Sequence, residues 1–135
     1  MSVTLTDQDK QTLRTAAYGA VSLLAAADAA GSPHRAATRG SIALASATGP
    51  VGHVLAEKTR ITGLNGSSVA ELADRVLPAL TEAMRLLGRQ DPAQAADFRD
   101  TVLVAVDAAA RSGRGEPGPT VTAMTRKITE ALDTA

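Results

Sequence analysis

Two aspartates, Asp28 and Asp107, are the first candidates for chemistry, because each follows an apolar stretch near the expected end of a helix. The helix dipole disfavours an acid at the C-terminal end of a helix, so the presence of an aspartate at each of these two positions needs an explanation. If the two carboxylates meet in space, with Glu116 as a further oxygen ligand, they would suit Ca²⁺ or Mg²⁺. The alternative is that each aspartate lies at the solvent edge of its helix.

A second group of candidates lies in residues 29–56, a segment without any acid. Arg35 and Arg39 could bind an anion there, and His34 and His53 could bind a transition metal. A site with two histidines needs further ligands, and the chain has no metal-binding motif such as H-E-x-x-H. The alternative is a helix with a solvated cationic face and two ordinary histidines.

The sequence contains no recognisable catalytic motif. Because cysteine is absent, thiol catalysis, disulfides and cysteine-ligated zinc are excluded. The glycine-rich stretch 113–118 follows an expected helix, whereas a phosphate-binding loop follows a strand. We therefore predict a chain that is not an enzyme and needs no cofactor. The alternative is an enzyme whose active site is built on helices and matches no familiar motif.

The charge balance bears on the class of partner. The 14 Lys and Arg residues equal the 14 Asp and Glu residues, so the basic excess typical of nucleic-acid binders is missing. No apolar stretch approaches the ~20 residues that span a bilayer, and the first ten residues lack the pattern of a signal peptide. The sequence predicts a cytoplasmic protein that binds neither nucleic acid nor membrane.

The elements that must position these residues are all expected to be helices. The predicted starts are Asp7, Pro33 after a Ser32 cap, about Pro50, the capping box of Ser68 and Glu71, Pro92 after Asp91, and Pro119. Glycines at positions 31 and 88 are expected to end the first and fourth helices. No window alternates with period two. The fold class is all-α, a compact single domain (1–135) of five to six helices.

A face of small residues is the strongest pattern in the second helix. It consists of Ala36, Gly40, Ala43 and Ala47, at helical spacing. Glycine inside a helix costs about 1 kcal/mol relative to alanine, so a closely packed partner is expected there. In a monomer this face is a crossing of two helices, and in a dimer it is a symmetric interface. With 1% aromatic residues to fill its core, the chain is predicted to form a homo-oligomer or to bind a protein partner.

An internal similarity links residues 24–30 and 103–109, which agree at five of seven positions. Each segment is followed by a glycine turn and a helix that begins with proline. Two pseudo-repeated helical units would explain this, and so would chance in a chain rich in alanine.

These same segments carry a family resemblance. Residues 24–33 form an apolar helix end with an acid, a glycine turn and a new helix, and Phe98-Arg99 followed by residues 102–107 repeats the pattern. The arrangement resembles the TerB-like helical family associated with tellurite resistance. The resemblance implies a stress-linked cytoplasmic helical module that binds divalent cations through Asp28 and Asp107.

The predicted function is a non-enzymatic cytoplasmic helical module that acts through self-association or a protein partner. The alternative is a stress-response protein that binds divalent cations or anions.

Overall fold

A computed structural model of the chain describes residues 4–27, 33–57, 68–111 and 118–135. For residues 33 and 34 it describes the backbone only. Within these ranges the chain forms six α-helices and no strand, which confirms the all-α fold class. The helices are α1 (Asp7–Ala27), α2 (Pro33–Ala45), α3 (Gly49–Ala56), α4 (Val69–Gln90), α5 (Pro92–Ala110) and α6 (Pro119–Asp133).

The helix starts are fixed by local capping, as the sequence indicates. Ser68 Oγ accepts a hydrogen bond from the Glu71 N–H at 3.2 Å, and Asp91 Oδ1 accepts one from the Ala93 N–H at 3.1 Å. These bonds satisfy backbone donors that have no partner inside the first turn. The predicted starts of α4 and α5 are therefore confirmed.

One predicted helix end is wrong, and the second helix is too short to include the whole predicted small face. α4 continues through Gly88 to Gln90 and stops before Asp91 and Pro92. The reason is that a proline disfavours the helical conformation of the residue before it, here Asp91. A Cβ at Gly88 would meet no atom within 4 Å, so this glycine lies on an open part of the helix surface. α2 ends at Ala45, which leaves Ala47 beyond the helix. The predicted stop of the first helix at residue 31 lies outside the described residues.

The core is built around α1 and α5, which each contact every other helix. Phe98 is fully buried in α5, and leucine, valine and alanine fill the space around it. Helix α1 relies on small residues for close packing, since a Cβ at Gly19 would lie 2.5 Å from Val76 Cγ2. Alanine and glycine let the helices pack closely, so the core reaches a high packing density without large aromatic side chains.

The internal similarity between α1 and α5 does not extend to their packing. Ala25 is buried, whereas its counterpart Val104 is 62% exposed. Ala26 is exposed and its counterpart Ala105 is buried. Matching residues therefore face different surroundings, which argues against two equivalent helical units.

None of the helices in the described part of the chain combines the length and apolar character needed to cross a bilayer.

Candidate functional site

A groove of about 700 Å³ lies between α2 and α5. The side chains that line it are Arg35, Thr38, Arg39 and Ile42 from α2, Ala108 from α5, and Arg111, which caps the C-terminal end of α5. Three guanidinium groups therefore surround a short apolar strip. An acidic group with an apolar neighbour would match this lining in charge and polarity.

The groove adjoins the most exposed large hydrophobic side chains of the described residues. Ile42 and Val104 are 61% and 62% exposed, and Val69 follows at 37%. Val104 lies one turn before Ala108 on α5, which is about 6 Å along the helix axis. The apolar strip therefore continues from the groove along α5. We call the surface formed by the groove and Val104 the α2–α5 surface.

The pattern of α2 explains why this face points outward. Ala36 and Leu44 are buried, while Arg35, Arg39 and Ile42 are exposed at successive turns of the helix. Of the two large apolar residues of α2, Leu44 supplies the core and Ile42 does not. The 3.6-residue period of the helix puts positions 42 and 44 on different sides, so only one of the two can face the core.

Arg111 also takes part in a local ion pair. Its Nε lies 2.9 Å from Asp107 Oδ1, and the two side chains are 69% and 61% exposed. Exposed pairs four residues apart on a helix contribute only about 0.3–0.5 kcal/mol. Asp107 lies toward α6, where it lines a second groove together with Arg126.

No protein-family model, curated protein or solved structure matches this chain. The TerB-like resemblance accordingly stays an expectation, and the candidate sites are judged on geometry alone.

The structure brings the two predicted anion-binding residues Arg35 and Arg39 together and places His53 apart from them. Arg35 and Arg39 line the same groove. His53 is exposed on α3 and does not line it. His34 opens α2, but its side chain lies outside the described part of the structure.

The predicted metal site finds little support at Asp107, whose carboxylate is paired with Arg111. Among the described residues, no group of three or more His, Asp or Glu side chains could hold a metal ion. Asp28 and Glu116 lie outside those residues, so the expected approach of Asp28 to Asp107 stays a prediction.

The small face of α2 packs inside the chain. Ala36 is buried, and a Cβ at Gly40 would lie 2.5 Å from Val21 Cγ1 on α1. Ala43 is half-buried, and Ala47 follows the end of the helix. The close partner that Gly40 requires is therefore α1 of the same chain. At the centre of the face this favours the first of the two alternatives, a crossing of two helices within one chain, over a symmetric interface between copies.

A buried polar cluster connects α1 to the end of α3. Arg14 is 5% exposed, donates from Nε to the Val54 carbonyl at 3.2 Å and forms an ion pair with Glu57. The Tyr18 hydroxyl donates to the Leu55 carbonyl. Burial raises the pKa of Tyr18, and the nearby Arg14 charge opposes that rise. Because these donors bind carbonyls in the last turn of α3, the cluster holds that helix end against α1.

Sequence reasoning missed Val104, Ala108 and Arg111 as members of the candidate site. One signal was present, since Val104 is a large apolar residue that lies outside the stripe formed by Phe98, Val102 and the other buried residues of α5. The approach of α2 to α5, which completes the groove, depends on tertiary packing and has no local signal.

Proposed function

We propose that this chain is a non-enzymatic interaction module that binds a protein partner, which can be a second copy, through the α2–α5 surface. The observation that carries the proposal is the exposure of Ile42 and Val104, at 61% and 62%, on adjoining helices. Single exposed apolar residues are ordinary on protein surfaces. Here two of them adjoin one groove that is also lined by arginines.

The energetic argument rests on the area that a partner would cover. Burying a valine or isoleucine side chain stabilises a complex by about 1.5–3 kcal/mol. A partner that covers Ile42 and Val104 together gains several kcal/mol before the costs of association are subtracted. That gain offsets part of the cost of association, and the other contacts of the α2–α5 surface must supply the rest.

The charges around the groove define the partner more closely. Arg35, Arg39 and Arg111 line it, and arginine is enriched in protein interfaces because it combines a cation with a flat apolar surface. A complementary partner presents an apolar centre and an acidic edge. Opposite charges at the rim would speed association and select among partners.

The experiment compares complexes formed by the wild-type chain and by two variants, Ile42→Glu and Val104→Glu. Each protein is cross-linked in extract from the cells that express it, and the products are identified by mass spectrometry. We expect complexes of the wild type, with itself or another chain, that both variants lose. Val69→Glu is the matched control, since it makes the same kind of change at a 37% exposed valine, and its complexes should persist.

Complexes that survive both substitutions, or a wild type without any complex, would contradict the proposal. Thermal unfolding monitors the fold of each variant. If a glutamate variant unfolds, Val104→Ala replaces it, because this change removes apolar area without adding charge and should weaken the same complexes.

A second candidate function is anion binding in the groove, favoured by the convergence of Arg35, Arg39 and Arg111. Phosphate or citrate would then raise the thermal midpoint of the wild type by mass action. Arg39→Gln should abolish that rise, whereas Arg126→Gln, on α6, should preserve it. An equal response in both variants would contradict this function.

A further inference from the structure

We infer that the partner of the α2–α5 surface is a second copy of this chain, docked with the two α5 helices antiparallel and the two Val104 side chains on a twofold axis. The inference rests on the proposed function and names its partner. It follows from the spacing of charges along α5, which is self-complementary about Val104.

The exposed stripe of α5 carries opposite charges at equal distances from Val104. Asp97 lies seven residues before it and Arg111 seven residues after it, and both side chains are exposed. Seven residues are almost two helical turns, so the three side chains share one face, with about 10.5 Å between Val104 and each charge. In an antiparallel pair, Asp97 of one copy therefore lies opposite Arg111 of the other, twice in each dimer.

The side of α5 on which Asp97 lies adds to the charge complementarity between the two copies. Asp97 and Ala108 are eleven residues apart, close to three turns, and so share a side of α5. Ala108 lines the groove with α2, which places Asp97 on the α2 side. A twofold axis perpendicular to α5 keeps the two α2 helices on the same side of the dimer. Asp97 of one copy then faces the Arg35 and Arg39 side chains of the other as well as Arg111.

The centre of the stripe allows close contact between the helices. Val104 and Ala108 are small enough for two helix axes to approach to about 8–10 Å. Ile42 lines the groove beside Ala108 and extends the apolar contact from α5 onto α2. The interface thus has an apolar centre with charged ends, which is the usual organisation of a specific protein contact.

The opposite side of the stripe contributes less. Asp100 and Asp107 are seven residues apart and lie on the α6 side, where Arg126 lines a groove with Asp107. In the antiparallel dimer these acids from the two copies approach each other and repel, and the charge of Arg126 offsets part of that repulsion. The α2 side therefore carries the electrostatic attraction.

The test uses sedimentation velocity on purified protein over a concentration series, with circular dichroism to verify folding. The wild type should shift from monomer to dimer. Asp97→Arg and Arg111→Glu should each weaken the dimer by about tenfold or more, because each places like charges opposite one another twice. Asp100→Arg, the same kind of change on the α6 side, should not weaken it.

The decisive sample is an equimolar mixture of Asp97→Arg and Arg111→Glu. In the antiparallel arrangement the arginine introduced at position 97 faces the glutamate introduced at position 111, and the second pair is native. The mixture should therefore dimerise at least tenfold more tightly than either variant alone. Two variants labelled with different fluorophores would show that the dimer contains one copy of each.

Four results would each overturn the inference. A mixture that stays as weak as its components excludes the antiparallel register, and a preferred dimer of Asp97→Arg with the wild type indicates a parallel one. A wild type that stays monomeric, while a complex with a different protein depends on Val104, refutes the second copy but leaves the proposed function intact. If no complex depends on Val104, both fail.

Discussion

The two faces of α2 differ in the residues that form them and in what covers them. One face carries Ala36 and Gly40 and is closed against Val21 of α1. The other carries Arg39 and Ile42 and lines an open groove beside α5. The difference shows that the small residues of α2 lie at contacts within the fold, whereas the isoleucine among arginines lies on the open surface that we propose to bind a partner.

The physical reason lies in what each residue type can gain. A glycine is costly in a helix and is useful only where a neighbour approaches closely enough to occupy the space of its Cβ. Val21 does this at Gly40. An exposed isoleucine gains nothing until a second surface covers it. The closed face should therefore control stability, and the open face should control association.

The largest expected effect is at the closed face. Gly40→Ala should lower the free energy of unfolding by about 2 kcal/mol, because its Cβ would press against the branched and stiff side chain of Val21. The combination with Val21→Ala should reverse the sign of the Gly40→Ala effect, since the space is then free. Urea unfolding of the two single variants and the double variant measures this coupling.

Gly88→Ala is the matched control for that experiment. It makes the same substitution inside a helix, at a position where a Cβ meets no atom within 4 Å. We expect it to raise the free energy of unfolding by up to about 1 kcal/mol, the gain in helix propensity. If Gly40→Ala were stabilising like Gly88→Ala, the closed face would be looser than the structure indicates.

The next effect concerns the open face. Val104→Glu should weaken the dimer by about tenfold, because it places two like charges at the twofold axis in place of an apolar contact. Its free energy of unfolding should change by less than about 0.5 kcal/mol, as is usual at exposed positions. Sedimentation and urea unfolding of the same sample separate the two quantities. A large loss of stability with unchanged association would reverse the roles of the two faces.

A smaller effect is expected where α1 holds α3. Tyr18→Phe removes the hydrogen bond to the Leu55 carbonyl and should cost about 1 kcal/mol. The raised pKa of Tyr18 means that the folded state retains the phenolic proton more strongly than the unfolded state. The stabilisation is therefore complete below pH 10 and is lost as the pH rises through the folded pKa. Urea unfolding of both proteins at neutral and alkaline pH should show their difference shrinking.

The sequence predicted the parts of the fold that depend on neighbouring residues. The caps at Ser68 and Asp91 act within three residues, so the starts of α4 and α5 could be read directly. The predicted stop at Gly88 was wrong, because a glycine ends a helix only when the chain must turn there. The turn comes at Asp91, where the following proline ends one helix and begins the next.

The candidate site was predictable only in part. Arg35 and Arg39 stood out because no acid lies near them in sequence, and the structure brings them to one groove. Arg111 joins them from a distant part of the chain, which no local pattern indicates. The small face of α2 was recognised, but whether α1 or a second copy covers it depends on how the helices pack.

The most direct test of the central claim is oxidative cross-linking of Val104→Cys. Because the chain has no cysteine, this variant carries a single thiol. Helix axes about 9 Å apart, with Cα atoms about 2.3 Å from each axis, place the two residues at the twofold axis near the Cα separation of about 4.4–6.8 Å that a disulfide requires. We predict a rapid, nearly complete disulfide-linked dimer, with Val69→Cys cross-linking far more slowly. Equal, slow rates for both variants would contradict the account.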